Sequence, residues 1–336
     1  MSPGGVESSW GGSVEGRPFL YIVGCPRSGT TLVRRMLDAH PHLVVSRSTH
    51  WVTLPFRDPA WMLPGGRVTS AFAERLLSFR RFGKMQLNAE RVRGVAARAP
   101  DYPSFVSEVY GLFGEQQGKR LVGDKTPAYV RWMPLLHFLF PRCKFVHLIR
   151  DGRSVSLSLL DPKNAKKIAQ LSAFRTWNED RLLTAAFKWE SDVRIGAEAG
   201  AYLGPSAYHE VRYESLVQDP GVVVRGICDF LGLPYEDSMV RFHEGKTKPD
   251  PALDAKHRWL PVTPGLRDWR SQMDEGSLQR VEAAAGPLLR DLGYETVTEV
   301  RPGGEIDRLR SMFGEDMRRA VEPLPLAWTE AQAVAG

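Results

Sequence analysis

The stretch Tyr21-Ile22-Val23-Gly24-Cys25-Pro26-Arg27-Ser28-Gly29-Thr30-Thr31 passes from an apolar run through a Gly, Pro and Ser turn into the opening of a helix. Residues 19–23 have the short, continuously apolar, β-prone character of a buried parallel strand. Beyond the turn, Leu32, Val33, Met36 and Leu37 fall on one helical face, with Arg34, Arg35 and Asp38 off it. Gly24 and Gly29 bracket a turn whose main-chain N–H groups can close on an anion. The first N–H groups of the helix lack partners of their own and lie at the positive end of its dipole. The stretch therefore predicts a phosphate cradle. It fits a Walker A frame only in part: the two glycines have the spacing and Thr31 fills the Ser/Thr place, but Thr30 stands where the phosphate-binding Lys belongs. The cation is Arg27, inside the loop. An NTPase needs that Lys and a magnesium-holding carboxylate ending another strand, so the substitution points to a phosphate ligand handled without metal. A plain strand-to-helix turn, common in α/β folds, is the structural alternative.

The 336 residues, 43% of them hydrophobic, suffice for one large α/β domain with a full core or for two small ones. A formal charge of +6 suits an anionic ligand. The basic residues are spread along the chain and match no nucleic-acid module, which argues against DNA or RNA as partner. Cys25, Cys143 and Cys228 are odd in number, far apart and in no ligand spacing, so neither a disulfide framework nor a zinc site is expected. No basic region followed by an apolar segment opens the sequence and no apolar run reaches about 18 residues, so a cytoplasmic location without a membrane span is expected. Cys25, beside Arg27 at a helix start, is either an oxidisable thiol of depressed pKa or a buried spacer.

Residues 1–17 are rich in Gly and Ser without apolar period and read as a flexible tail. After the first helix, Pro41 enforces a break and Leu43-Val44-Val45-Ser46 makes a second strand. Arg47-Ser48-Thr49-His50-Trp51 follows it. Ligands of open α/β sheets lie beyond the carboxyl ends of the strands, so this segment belongs near the cradle. Residues 55–118 read as a helical insertion capping the sheet, with Trp61, Phe72, Phe79, Phe82, Tyr102, Phe105, Tyr110 and Phe113 serving either an acceptor pocket or plain core. A third strand, Arg120-Leu121-Val122-Gly123, runs into Asp124-Lys125-Thr126-Pro127. A fourth, 144–149, runs into Arg150-Asp151-Gly152-Arg153-Ser154 and a helix through Ser158, a second anion site built like the first. His147, inside that strand, reads as a core histidine. Residues 211–216 read as strand then turn, and Asp219-Pro220 caps a helix ending at Gly232. Leu278, Val281, Ala285, Leu288 and Leu292 trace one face of a long helix capped by Gly293. A charged amphipathic stretch, 306–320, forms a C-terminal extension (301–336) that packs on the domain or on a second subunit, as in a homodimer.

Two anion sites at neighbouring strand ends suggest one ligand with two separated phosphate groups. Pro26-Arg27-Ser28-Gly29-Thr30-Thr31, together with Val146-His147-Leu148-Ile149-Arg150-Asp151-Gly152-Arg153 and Ser158, resembles the two cofactor motifs of sulfotransferases that use 3′-phosphoadenosine 5′-phosphosulfate (PAPS). The resemblance covers most of residues 18–297. Its layout is most similar to the protein-tyrosine sulfotransferase branch and its bacterial relatives, through Arg-Ser-Gly-Thr-Thr, Met-Leu-Asp-Ala-His-Pro, Lys-Phe before the second motif, and Arg-Asp-Gly-Arg. It implies a single α/β P-loop-like domain over 18–300, with a central parallel sheet of about five strands flanked by helices and 55–118 as a helical lid.

The resemblance also implies roles. Arg27, Ser28, Gly29, Thr30 and Thr31 would hold the 5′-phosphosulfate, and Arg150 and Ser158 the 3′-phosphate. Tyr213 would lie on the nucleotide side or simply pack, and one of Lys256, His257 and Arg258 would touch the cofactor from a closing loop. Lys125, matching the family's Lys after the third strand, would join Arg27 in supplying transition-state charge, with no metal required. The general base is where the sequence departs. Tyrosine sulfotransferases carry a Glu shortly after the second strand; counted from His40-Pro41 that position is Ser48, and no carboxylate occurs from 46 to 57. His50, whose side chain has an unperturbed pKa of about 6.5, is the first candidate base, followed by Asp124 and His257. With no secretory anchor in the sequence, a small-molecule or sugar hydroxyl is expected as acceptor. Peptide or protein tyrosine and a P-loop nucleotide kinase are the alternatives.

Overall fold

The computed structural model describes residues 18–57, 61–162, 169–244, 268–298 and 303–320. Five parallel strands form one sheet in the order β2-β3-β1-β4-β5: β1 Leu20–Gly24, β2 Leu43–Ser46, β3 Leu121–Lys125, β4 Lys144–Ile149 and β5 Tyr208–Arg212. The expected fold class is the observed one. β1 is central and wholly buried, which explains its unbroken apolar run. Alternate residues serve opposite layers: Tyr21 and Val23 join the core beneath the lid, Leu20 and Ile22 the core on the other face.

Helix α1, Thr30–Asp38, returns the chain from β1 to β2. The lid follows as α2 (Ser70–Ser78), α3 (Ala89–Arg98) and α4 (Tyr102–Gln116), started by the side-chain caps Thr69, Asn88 and Asp101. Its aromatics resolve toward packing. Phe72, Phe82, Tyr102, Phe105, Tyr110 and Phe113 are buried, and Trp51 joins them with edge or tilted contacts to Phe82, Phe105 and Tyr110. Trp61 and Phe79 are only partly buried against this core.

Helix α5, Met133–Leu139, leads into β4, and α6, Gly152–Leu160, leaves it. Then come α7 (Arg175–Glu179) and the 23-residue α8 (Arg181–Leu203). The motif reading does not anticipate α8, although its end signals stand in the sequence: Asp180 accepts the Leu183 N–H, and Gly204 closes it at φ +77°. The remaining helices are α9 (Tyr213–Gln218), α10 (Pro220–Leu231), α11 (Trp269–Gln272), α12 (Glu275–Asp291) and α13 (Gly304–Ala320).

Three boundaries differ from expectation. β3 extends through Asp124 and Lys125, which pair with Tyr21 and Ile22 of β1. β5 begins at Tyr208 rather than near 211; it lies at the sheet edge, where half-exposed His209 and exposed Glu210 hide the strand pattern. A helix, not a turn, starts at Tyr213. The described part of the C-terminal extension, 303–320, packs on the domain: Leu309 and Phe313 are buried, Phe313 meets Phe174 and Phe187, and Arg175 pairs with Asp316 at 2.7 Å. Among the described residues no helix is long and apolar enough to cross a membrane.

Candidate active site

The loop between β1 and α1 closes as tightly as its glycines suggest. Gly24 has φ +136°, and a Cβ there would lie 2.5 Å from the Leu148 carbonyl oxygen, so only glycine lets β1 and β4 run this close. The turn is fastened by Ser28 N–H donating to the Cys25 carbonyl. Arg27, at φ +81°, adopts a left-handed backbone uncommon for a residue with a side chain, a conformation the surroundings must hold. Gly29 caps α1 at φ +98°. Ser28, within the loop, is fully buried, and its hydroxyl has no protein partner among the described residues.

The second motif folds onto the first. Arg27 Nε donates to Ser158 Oγ at 3.0 Å, so the first loop and the helix after β4 share a contact across 131 residues. Arg150 lies at the end of β4 with its Nη1 3.5 Å from the Arg27 carbonyl. Its guanidinium stacks 4.3 Å from the Tyr213 ring centroid. Tyr213 in turn covers Gly29, where an added Cβ would come within 2.5 Å of the ring. The two predicted anion sites thus meet, with Arg27 in contact with Ser158 and Arg150, and Tyr213 packed against both Arg150 and Gly29.

Residues outside the predicted cofactor contacts brace these two motifs. Trp189 Nε1 donates to the Arg150 carbonyl at 2.9 Å. Glu214 accepts the Asp151 N–H at 2.9 Å and the Tyr294 hydroxyl at 2.9 Å. Asp151 caps α6 by accepting the Arg153 N–H and also takes the Trp269 indole N–H at 3.0 Å. Arg153, buried, pairs with Asp151 and Glu282 and lies 3.7 Å from the Trp269 ring centroid. Asp151 and Arg153 belong to the second motif, whereas Trp189, Glu282 and Tyr294 lie outside every motif.

At the neighbouring strand end, Lys125 is 8% exposed and its Nζ donates to Ser48 Oγ at 2.8 Å. The residue standing at the family's Glu position therefore touches the predicted catalytic Lys. His50 lies two residues further on, half-buried, with its backbone at φ +56° and its ring 6.3 Å from that of Tyr129. Asp124 does not fit its place as second candidate base. It is fully buried, burial pushes its carboxyl pKa up, and one oxygen accepts three hydroxyl donors, so an acceptor has no path to it. Lys256, His257 and Arg258 lie outside the described residues.

Cys25 is the buried spacer of the two readings: burial drives its thiol pKa well above the ordinary value. His147 is a core histidine, its ring 2.7 Å from the Tyr208 hydroxyl and its pKa lowered to about 4 by burial. Among the described residues no group of three or more His, Cys, Asp or Glu could hold a metal ion.

A model of the sulfotransferase family matches residues 18–237. The chain belongs to the sulfotransferase family. This sulfotransferase is similar to protein-tyrosine sulfotransferase A of Caenorhabditis elegans, 27% identical over 311 residues that cover 90% of this chain and 74% of that one. It is similar to protein-tyrosine sulfotransferase 2 of Gallus gallus as well, 29% identical over 287 residues, 83% of this chain and 70% of that one. Among solved structures, the sulfotransferase domain of the Synechococcus PCC 7002 olefin synthase aligns with TM-score 0.54 and 24% identity, covering 83% of this chain and 95% of its own. The sulfotransferase domain from the curacin biosynthetic pathway aligns with TM-score 0.55 and 21% identity, covering 83% and 98%. These two share the fold. Membership in the sulfotransferase family replaces the kinase alternative, in keeping with Thr30 at the Walker Lys position.

Proposed function

We propose that this sulfotransferase moves a sulfuryl group from PAPS to a tyrosine hydroxyl of a peptide or protein. The observation that carries the donor half is the convergence of both motifs on one cleft, with Arg27 bonded to Ser158 and Arg150 stacked on Tyr213. The residues fit a ligand with two separated phosphate groups: the buried Ser28 hydroxyl lacks a partner among the described residues, Gly29 leaves no room for a side chain, and cations flank the loop. When bound, PAPS supplies an activated sulfuryl group attached to a phosphate that leaves as 3′,5′-adenosine bisphosphate.

The chain's own residues divide the remaining work. Arg27, Ser28 and the N–H groups of Gly29, Thr30 and Thr31 hold the phosphosulfate end. Arg150 and Ser158 take the 3′-phosphate, and Tyr213 closes over the loop on the nucleotide side. Lys125 sets positive charge where leaving-group charge builds, which in a site shielded from water is worth far more than in solution. His50 Nδ1 or Nε2 takes the proton of the acceptor hydroxyl, and Ser48 orients the Lys125 ammonium beside it.

The acceptor reading departs from the sequence expectation of a small molecule or sugar. That expectation rests on Ser48 standing in place of the tyrosine branch's Glu and on an expected cytoplasmic location. The relatives named for protein tyrosine, matched over most of this chain, favour the tyrosine alternative. The test is transfer of labelled sulfate from PAPS to tyrosine-bearing peptides, simple phenols, aliphatic alcohols and sugars, alongside calorimetric titration with 3′,5′-adenosine bisphosphate. Peptide tyrosine should be the preferred acceptor. Transfer to alcohols or sugars with none to phenols would overturn the acceptor, and no binding of the bisphosphate would overturn the donor.

A further inference from the structure

Asp124 immediately precedes Lys125 on β3, yet it faces away from solvent and from any acceptor, with no measurable exposure. Its Oδ2 accepts from Ser46 Oγ at 2.9 Å, Thr49 Oγ1 at 2.5 Å and Tyr110 OH at 2.7 Å. These donors come from three places: the last residue of β2, the segment that follows it, and the lid helix α4. A carboxylate this deep is costly to bury and is offset by its three hydroxyl donors, so it ties together the elements that carry them.

The segment after β2 is otherwise held by side chains rather than by sheet or helix bonds. Thr49 N–H donates to Thr126 Oγ1 at 3.1 Å and Val52 N–H to Tyr129 OH at 3.0 Å, while Tyr102 OH donates to the Val52 carbonyl at 2.7 Å. His50, whose φ of +56° is a conformation that persists only when neighbours impose it, lies between these anchors, and Ser48, in contact with Lys125 Nζ, lies between Ser46 and Thr49. We infer that Asp124 is a positioning residue for sulfuryl transfer: by gathering Ser46, Thr49 and Tyr110 at one oxygen, it locks lid, β2 end and β3 end together and holds Ser48 and His50 in register with Lys125. The inference rests on the proposed function and deepens it. Asp124 touches neither donor nor acceptor. It acts through Thr49, the one member of the trio that lies inside the acceptor-side segment.

Three variants isolate this role. Asp124→Asn keeps the shape and removes the charge; Thr49→Val keeps the shape and removes the hydroxyl; Thr49→Ser keeps the hydroxyl. Reacting groups displaced by about an ångström lose on the order of a hundredfold in rate, so Asp124→Asn and Thr49→Val should lower kcat for sulfate transfer by about tenfold or more. The KM for PAPS and the affinity for 3′,5′-adenosine bisphosphate should stay within about twofold, because the donor cleft is built from other residues, and Thr49→Ser should restore most of kcat. Amide hydrogen exchange followed by mass spectrometry should rise for residues 46–53 and stay unchanged for 24–31 in the two damaging variants. A kcat within twofold of wild type for both, or a parallel loss of bisphosphate binding, would overturn the inference. If the wild-type chain transfers no sulfate, the proposed function falls by itself, and the exchange arm still decides Asp124: faster exchange confined to 46–53 upholds the positioning, and unchanged exchange there refutes it.

Discussion

Replacing Gly29 with Ala tests the donor cleft at its tightest point. The backbone there has φ +98° and ψ 2°, and the new Cβ would lie 2.5 Å from Cδ2 and 3.0 Å from Cε2 of Tyr213. The left-handed backbone costs a side-chain-bearing residue roughly 1–2 kcal/mol. Forcing a methyl against the ring adds about 1–3 kcal/mol of overpacking, for a total of about 2–5 kcal/mol. The ring cannot yield freely, because Tyr213 also carries the Arg150 guanidinium at 4.3 Å. Urea unfolding of wild type, Gly29→Ala, Tyr213→Ala and the double variant separates the two terms. In the Tyr213→Ala background the Gly29→Ala cost should shrink to the backbone part of about 1–2 kcal/mol, leaving a coupling of about 1–3 kcal/mol. Calorimetry on Gly29→Ala should show 3′,5′-adenosine bisphosphate bound about tenfold or more weakly, since a loss of 1.4 kcal/mol already gives that factor. Equal cost in both backgrounds would show that Tyr213 does not cover the loop, and the single-cleft geometry would fall with it.

Lys125→Met should lower kcat by about a hundredfold or more while leaving bisphosphate affinity within a few-fold, as expected of a charge used mainly in the transition state; single-turnover transfer of labelled sulfate measures it. His50→Ala should cost about a hundredfold or more in kcat and remove the acidic limb of the pH–rate profile, and turnover kept within a few-fold with donor binding intact would take His50 out of the base role. Stability should depend on pH through His147. Its folded pKa of about 4 lies below the ordinary 6.5, so the unfolded chain binds the extra proton between those values and stability is lost as pH falls through that window. From pH 7 to pH 5 this group should remove about 2 kcal/mol of unfolding free energy. Denaturant titrations of wild type and His147→Asn at both pH values check it, and the two should show the same pH dependence if His147 is not responsible.

The fold was largely legible where local pattern and tertiary environment agree. β1 and β4 are apolar because both of their faces are covered, and the helices opening at Thr30, Pro220 and Glu275 carry the expected cap, proline or face. Legibility failed where they disagree. The polar end of β3 reads as a turn because Asp124 and Lys125 are charged, yet sheet pairing with β1 and hydroxyl donors accommodate them. The edge strand β5 lacks alternation because one side of it is half open. The aromatics of the lid could serve a pocket or a core by spacing alone, and only their mutual contacts make them core.

The sequence by itself determined the strand–loop–helix at Gly24 to Thr31, the second strand-end motif at Arg150, the cation at Lys125, and the departure at Ser48, since each is written in adjacent residues. It could not determine that Arg27 bonds to Ser158, that Tyr213 covers Gly29, or that Asp124 is a buried hub rather than a base. Those relations depend on the strand order β2-β3-β1-β4-β5: β1 beside β4 brings Arg27 to Ser158, β2 beside β3 brings Thr49 to Asp124, and β5 beside β4 carries Tyr213 toward the loop. Strand order is settled by how every layer packs at once, and no local run of residues contains it.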